Sequence, residues 1–197
     1  KAKRFLTTEQ SQYGYISKVI NEYYDPNNPA PNQSKYEIYI KKRMHFLYNL
    51  KTKRDAAKII ISELPETLKT LIFCSNIEQA DYLCQYTHHS KSKKSYLQEF
   101  NDGTINRLSC VKGLNEGVNI NEVDCAVIVQ LNSSDVDFIQ RVGRIVRYRE
   151  GHRGKVIILV MNETEDVKWS KNAMKSLNIN SFKVVKFHEL LNKLTTL

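Results

Sequence analysis

No apolar run in the 197 residues approaches the roughly 20 that a membrane-spanning helix needs. The opening stretch KAKRFLTTEQ has no apolar centre of the kind a secretory leader carries. No membrane contact is therefore expected. The missing initiator methionine reads as a piece of a longer chain. Cysteine is present only at 74, 84, 110 and 125, with no Cys-x-x-Cys pair. His88 and His89 do not complete a familiar zinc spacing, so no metal site is expected. Three of these cysteines sit in apolar runs, which suits buried free thiols in a reducing compartment. Neither a Gly-x-x-x-x-Gly-Lys-Ser/Thr loop nor an Asp-Glu pair after a strand occurs, so the parts that cradle nucleotide phosphates and bind magnesium are lacking.

What is present is a soluble-protein composition, 41% hydrophobic and 26% charged, with an uneven net charge of +9. Residues 1–54 carry 11 Lys/Arg against 4 Asp/Glu, and residues 55–197 carry 19 against 17. A basic segment ahead of a near-neutral domain points to a polyanion such as nucleic acid, or to a solvated helical surface. In that segment Thr7 and Gln10 have capping-box spacing, and Tyr13, Ile16, Ile20 and Tyr23 follow at helical intervals, predicting a helix over about 8–24. DPNNPAPNQS breaks it. Further helices are expected over 35–50 and over 55–64, ending at Pro65, which makes residues 1–65 a basic helical arm.

From residue 66 the texture alternates. TLIFC (70–74), RLSCV (107–111), CAVIVQL (125–131) and KVIILV (155–160) read as buried strands, and FKVVKF (182–187) as a last one. Asn76 with Gln79 starts one intervening helix, and others are expected over 91–101, 135–147 and 164–177. This predicts an α/β domain over 66–197, a parallel sheet with helices on both faces. The loops at the carboxyl ends of such strands build the binding site. Tyr96, Leu97 and Phe100 have core spacing. Trp169, the sole tryptophan, is expected to anchor its helix on the sheet.

The segment FIQRVGRIVRYREG (138–151) sets arginines at 141, 144, 147 and 149 directly after an apolar run. Taken with LIFCSNIEQADYL, THHSKSKKSYLQEFNDG and LSCVKGLNEGVNINEVDCAVIVQ before it, it resembles the C-terminal RecA-like lobe of superfamily-two helicases and translocases, over about residues 65–177. The Leu-x-Glu-Gly and Gln-Arg-x-Gly-Arg-x-x-Arg forms are most similar to XPB-like and phage-type DNA helicases. The resemblance implies that Arg144 and Arg147 are fingers reaching ATP phosphates across a cleft. Gln140 and Arg141 would orient that loop and meet the partner lobe, and Gly143 would allow close backbone approach. Guanidinium suits this work because it stays charged and presents a planar fork to phosphate oxygens. Gly117 matches the family glycine. Asn119 stands where an aspartate often meets the ribose and Asn121 where proline is common, so ribose contact would lack its charge. Val111 replaces a frequent threonine.

For nucleic acid the resemblance implies contacts mostly to phosphates. The candidates are Ser75 and Asn76 after the first strand, His88, His89 and Ser90 after the second, and Lys112 with Gly113. Asn76 has a competing reading as a helix cap, and the histidine pair as solvent-facing. The expected function is the second motor lobe of an ATP-dependent DNA helicase or translocase, inactive alone. Its partners would be an N-terminal RecA-like lobe of the same parent, which would hold most of the ATP and Mg2+, and DNA, with RNA as an alternative. The fragment would be monomeric and cytoplasmic, in a bacterium or in the host cell of a virus. Two other readings are a non-hydrolysing nucleic-acid-binding or docking module of the same fold, and the motor of a restriction or remodelling enzyme.

Overall fold

The structure, a computed structural model, describes residues 8–24, 27, 33–92, 95–111, 120, 122–131, 135–146, 154–175 and 183–194, and for 136, 137, 141, 144 and 145 the backbone alone. The chain divides into two compact units, 1–50 and 51–197. The expected arm ran to residue 65, and the third of its helices lies within the second unit.

The first unit is a helical hairpin. α1 (Glu9–Tyr23) begins at Thr8, whose extended backbone lets its hydroxyl oxygen accept from the Ser11 N–H at 3.1 Å. The cap is thus one residue later than the expected Thr7. α2 (Gln33–Tyr48) packs on it through aromatic pairs, with Tyr23–Tyr39 ring centroids 5.9 Å apart and Tyr24–Tyr36 5.6 Å apart. Lys35 lies 5.3 Å from the Tyr23 ring and Lys42 4.4 Å from the Tyr39 ring. Part of the basic charge is therefore spent on tyrosine faces inside the hairpin.

The second unit opens with α3 (Lys51–Glu63), four residues earlier than expected. The elements β1 (Thr70–Cys74), α4 (Ile77–Leu83), β2 (Thr87–His88), α5 (Leu97–Asn101) and β3 (Arg107–Val111) follow. Next come β4 (Cys125–Ile128), α6 (Val136–Ile145), β5 (Lys155–Ile158), α7 (Glu165–Ala173) and α8 (Phe187–Leu194). The strands form a sheet of order β2-β3-β1-β4-β5, every adjacent pair parallel. β1 is central and buried at all five positions, because helices cover both faces.

The pleat sorts β1 between two cores. Ile72 and Cys74 point to one face, with Ala57 and Ile60 of α3, Leu64 just after it, Ala80 and Leu83 of α4, and Leu194 of α8. Leu71 and Phe73 point to the other, with Phe100 of α5, Ile139 and Val142 of α6, and Ala173 of α7. Tyr96 and Leu97 pack against this second cluster, as their spacing foretold. Each fully buried large side chain contributes roughly 1.5–3 kcal/mol by leaving water.

Two expectations fail. The helix over 91–101 shrinks to α5, since residues 91 and 92 are turn and coil and the residues that face a core, Tyr96, Leu97 and Phe100, come only at its end. No strand forms over 183–186, within the expected 182–187. That stretch is coil, Val184 is 98% exposed, and Phe187 instead opens α8. Lysines at 183 and 186 flank a pair of valines too short to bury, whereas Leu190, Leu191 and Leu194 have a helical interval that reaches the core.

Candidate functional site

In a parallel sheet the carboxyl ends of the strands collect the loops that bind ligands. At the end of β1 stands Ser75, whose N–H donates to Gln79 Oε1 at 2.8 Å. Its buried hydroxyl has no hydrogen-bond partner among the described residues. The Asn76 side chain is committed to the α4 cap, accepting from the Gln79 N–H at 2.8 Å. The capping reading therefore describes the structure, and the Asn76 side chain is already occupied.

The histidines at the end of β2 are both engaged. His88 Nδ1 lies 3.0 Å from Ser95 Oγ. His89 Nδ1 accepts from the Lys91 N–H at 3.2 Å, which leaves Nε2 as the nitrogen that donates to Asp81 Oδ1 at 3.1 Å. The His89 side chain is only 6% exposed, so this ring is not solvent-facing. Ser90 sits exposed on the turn that follows. The end of β2 therefore presents a serine and a lysine backbone held in place by two occupied imidazoles.

The connection from β4 to β5 carries α6. Gln140 is on this helix and exposed, and the helix backbone also carries Arg141, Gly143 and Arg144. A Cβ placed on Gly143 would meet nothing within 4 Å. Among the described residues no close approach is made at this glycine, and Gly143 stands exposed. Among the described glycines the one that makes a close approach is Gly154, where a Cβ would lie 2.4 Å from Val146 Cγ1 and 2.9 Å from the Val146 carbonyl oxygen. Only a residue without a side chain lets the entry to β5 cross the end of α6. Lys112, Gly113, Gly117, Asn119 and Arg147 lie outside the described residues, as do Asn121, Arg149 and Arg153.

Sequence reasoning missed a buried polar cluster beside these loops. Lys53 of α3 donates to Gln130 Oε1 at 2.7 Å and to Asp166 Oδ2 of α7. Gln130 Nε2 in turn donates to Asp166 Oδ1 at 2.6 Å and to the Leu131 carbonyl at 2.7 Å. Lysine and aspartate in amphipathic helices read as solvated charge, and partners 77 and 113 residues apart leave no local signal.

The four cysteines are free and buried. Burial raises each thiol, Cys110 well above its ordinary value and Cys125 up to about 12. None is poised as a nucleophile. Among the described residues no three His, Cys, Asp or Glu side chains converge as metal ligands would, and no helix is long and apolar enough to cross a membrane.

The parallel five-stranded sheet with its helical layers is the fold of a RecA-like helicase C-terminal lobe. It superposes on the C-terminal domain of the DEAD-box protein Dbp5 with a TM-score of 0.58 at 16% identity, covering 76% of this chain and 93% of that one. The Sulfolobus solfataricus SWI2/SNF2 ATPase C-terminal domain gives 0.55 at 12% identity, covering 93% and 88%. Residues 42–149 match the family described as Helicase conserved C-terminal domain, and the chain belongs to that family. Curated relatives include the putative ATP-dependent DNA helicase fml2 of Schizosaccharomyces pombe, 30% identical over 96 residues, which are 49% of this chain and 12% of the relative. The ATP-dependent DNA helicase MPH1 of Candida glabrata is 32% identical over 84 residues, 43% of this chain and 8% of the relative. The matches thus span about a tenth of those relatives' length.

Proposed function

We propose that the chain is the second motor lobe of an ATP-dependent DNA helicase or translocase, acting on ATP and Mg2+ held mainly by an N-terminal RecA-like lobe of the same parent. The observation that carries the reading is α6. It bears the Gln140-Arg141-x-Gly143-Arg144 run within a helicase C-terminal domain, and Gln140 and Gly143 stand on it exposed, with open space around Gly143. Residues aimed at a nucleotide seated on another lobe need such an uncovered surface. Arg144 and Arg147 supply positive charge to the phosphate oxygens as the bond to the leaving phosphate loosens, a contribution worth roughly three to five orders of magnitude in rate. Gln140 and Arg141 orient the loop against the partner lobe. Magnesium, held mainly by the N-terminal lobe, would supply further positive charge to the phosphates.

Nucleic acid lies along the ends of β1 and β2 and is held through its phosphates. Ser90, on its exposed turn, is a contact this site can still make, and Ser75 joins it once its buried, unpartnered hydroxyl turns outward to a phosphate. Asn76, His88 and His89 serve by shaping those loops, because their side chains already have partners. Lys112 and Gly113 complete the phosphate contacts, and Gly117 with Asn119 completes the nucleotide side. The arm, residues 1–65, adds basic surface.

The test uses the two-lobed parent protein. Arg147→Ala and Arg144→Ala each abolish nucleic-acid-stimulated ATP hydrolysis while the affinity for nucleic acid stays within a few fold. Hydrolysis at the unaltered rate in either variant refutes the finger assignment, and magnesium-dependent hydrolysis by this chain alone refutes the division of labour.

A further inference from the structure

Lys53, Gln130 and Asp166 are 5%, 1% and 0% exposed, and the motor reading leaves them without a task. Among the described residues theirs is the ion pair with both side chains buried. Burying two charges is a poor route to stability alone, since apolar side chains of the same volume often serve as well. What apolar side chains cannot do is direct particular backbone groups. Gln130 spends both amide protons, one on Asp166 and one on the Leu131 carbonyl, and its oxygen accepts from Lys53. Asp166 accepts from Lys53, from Gln130 and from the Met161 N–H at 2.9 Å.

The placement gives these bonds meaning. Gln130 lies just past the carboxyl end of β4, and Met161 just past that of β5. Lys53 comes from α3, which packs on one face of the sheet, and Asp166 from α7, which packs on the other. One cluster therefore ties both helical layers together at the ligand-binding end. The chain from Leu131 to Asp135, the residue preceding α6, is four residues long, a reach of roughly 14 Å at most. Fixing the Leu131 carbonyl therefore restrains where α6 begins, while the approach of Gly154 to Val146 restrains where it ends.

We propose that Lys53, Gln130 and Asp166 are positioning residues for the arginine-bearing helix, setting the placement of α6 and through it the turnover of ATP without touching nucleotide. The proposal rests on the reading of α6 as the helix that carries the fingers. It is tested first in the 197-residue chain with Gln130→Met, which fills the same space and keeps the ion pair. Amide hydrogen exchange of residues 136–145 accelerates at least tenfold, while that of α4 is unchanged. Equal protection of α6 in both proteins overturns the proposal.

In the two-lobed parent, Gln130→Met and Lys53→Met lower kcat about tenfold and leave KM for ATP within twofold. The double variant Lys53→Met with Asp166→Leu regains the melting temperature but not kcat. Recovery of kcat together with stability shows a purely stabilising role and overturns the proposal. Should Lys53→Met not fold, Gln130→Met carries both measurements. If Arg144→Ala leaves hydrolysis intact, the arginine reading fails, whereas the exchange measurement still decides whether the cluster holds α6.

Discussion

Replacing Lys53 by methionine removes one charge from a pair whose other member has no route to water. Asp166 is wholly buried, and one carboxylate oxygen accepts from Lys53 while the other accepts from Gln130. Breaking a buried pair by removing one partner costs about 3–5 kcal/mol, because the remaining charge stays desolvated and uncompensated. An exposed pair such as Lys168–Glu165, where the lysine is 72% exposed, is worth at most about 1 kcal/mol. The two cases differ severalfold. Against a typical domain stability of about 5–15 kcal/mol, the Lys53 loss is a large share.

Trp169, one turn along α7 from Asp166, reports unfolding of this unit by its fluorescence. With a urea slope of about 3 kcal/mol per molar, the midpoint for Lys53→Met falls by about 1–1.7 M. Adding Asp166→Leu removes the stranded charge, and most of the loss returns. The reasoning is refuted if Lys53→Met shifts the midpoint by no more than Lys168→Met does, or if the two substitutions simply add.

Gly154→Ala pushes a methyl group into Val146, where the carbonyl oxygen 2.9 Å away cannot yield as a side chain would. A loss of about 1–3 kcal/mol is expected by urea unfolding, and relieving only the side-chain contact with Val146→Ala recovers part of it. Asn76→Ala removes the α4 cap and lowers stability by about 1 kcal/mol, or about 2–4 °C in Tm by calorimetry. A neutral result removes the capping role. The Cys125 thiol, raised by burial from an ordinary value of 9.0 to about 12, stays protonated in the folded chain while the unfolded chain ionises. Its stabilising contribution is complete below pH 9 and is lost as pH rises from 9 towards 12, by about 1.4 kcal/mol per pH unit. Cys125→Ala therefore shows a shallower fall of stability with alkaline pH, measured by urea unfolding at pH 8, 9 and 10.

The parts legible in the sequence were those whose cause is local. The buried strands 70–74 and 107–111 declared themselves by composition, the α4 start by Asn76 and Gln79, and the α5 core side by the spacing of Leu97 and Phe100. The Gln-Arg-x-Gly-Arg run was equally plain, since residue order alone carries it. What escaped depended on partners distant in sequence. α3 began early because its first turn carries Lys53 to Asp166, which no neighbouring residue announces. The two-residue β2 exists only because β3 is there to pair with it, through Thr87 and Ser109. Gly143 drew attention as part of a motif, while Gly154, which the packing requires, stood in no pattern at all.

The strand order has a consequence for biosynthesis. β1 is the first of these five strands to leave the ribosome, yet Thr70 pairs with Arg107 on one side and Cys125 on the other. A strand buried at every position must wait, apolar and unpaired, until both later strands have been translated, so its exposure is governed by elongation rate and by whatever shields it meanwhile. The arm helices need no such delay, since α1 and α2 complete their tyrosine contacts within residues 9–48. Synonymous changes that slow translation between residues 75 and 125 should therefore reduce the yield of folded protein without altering a single side chain.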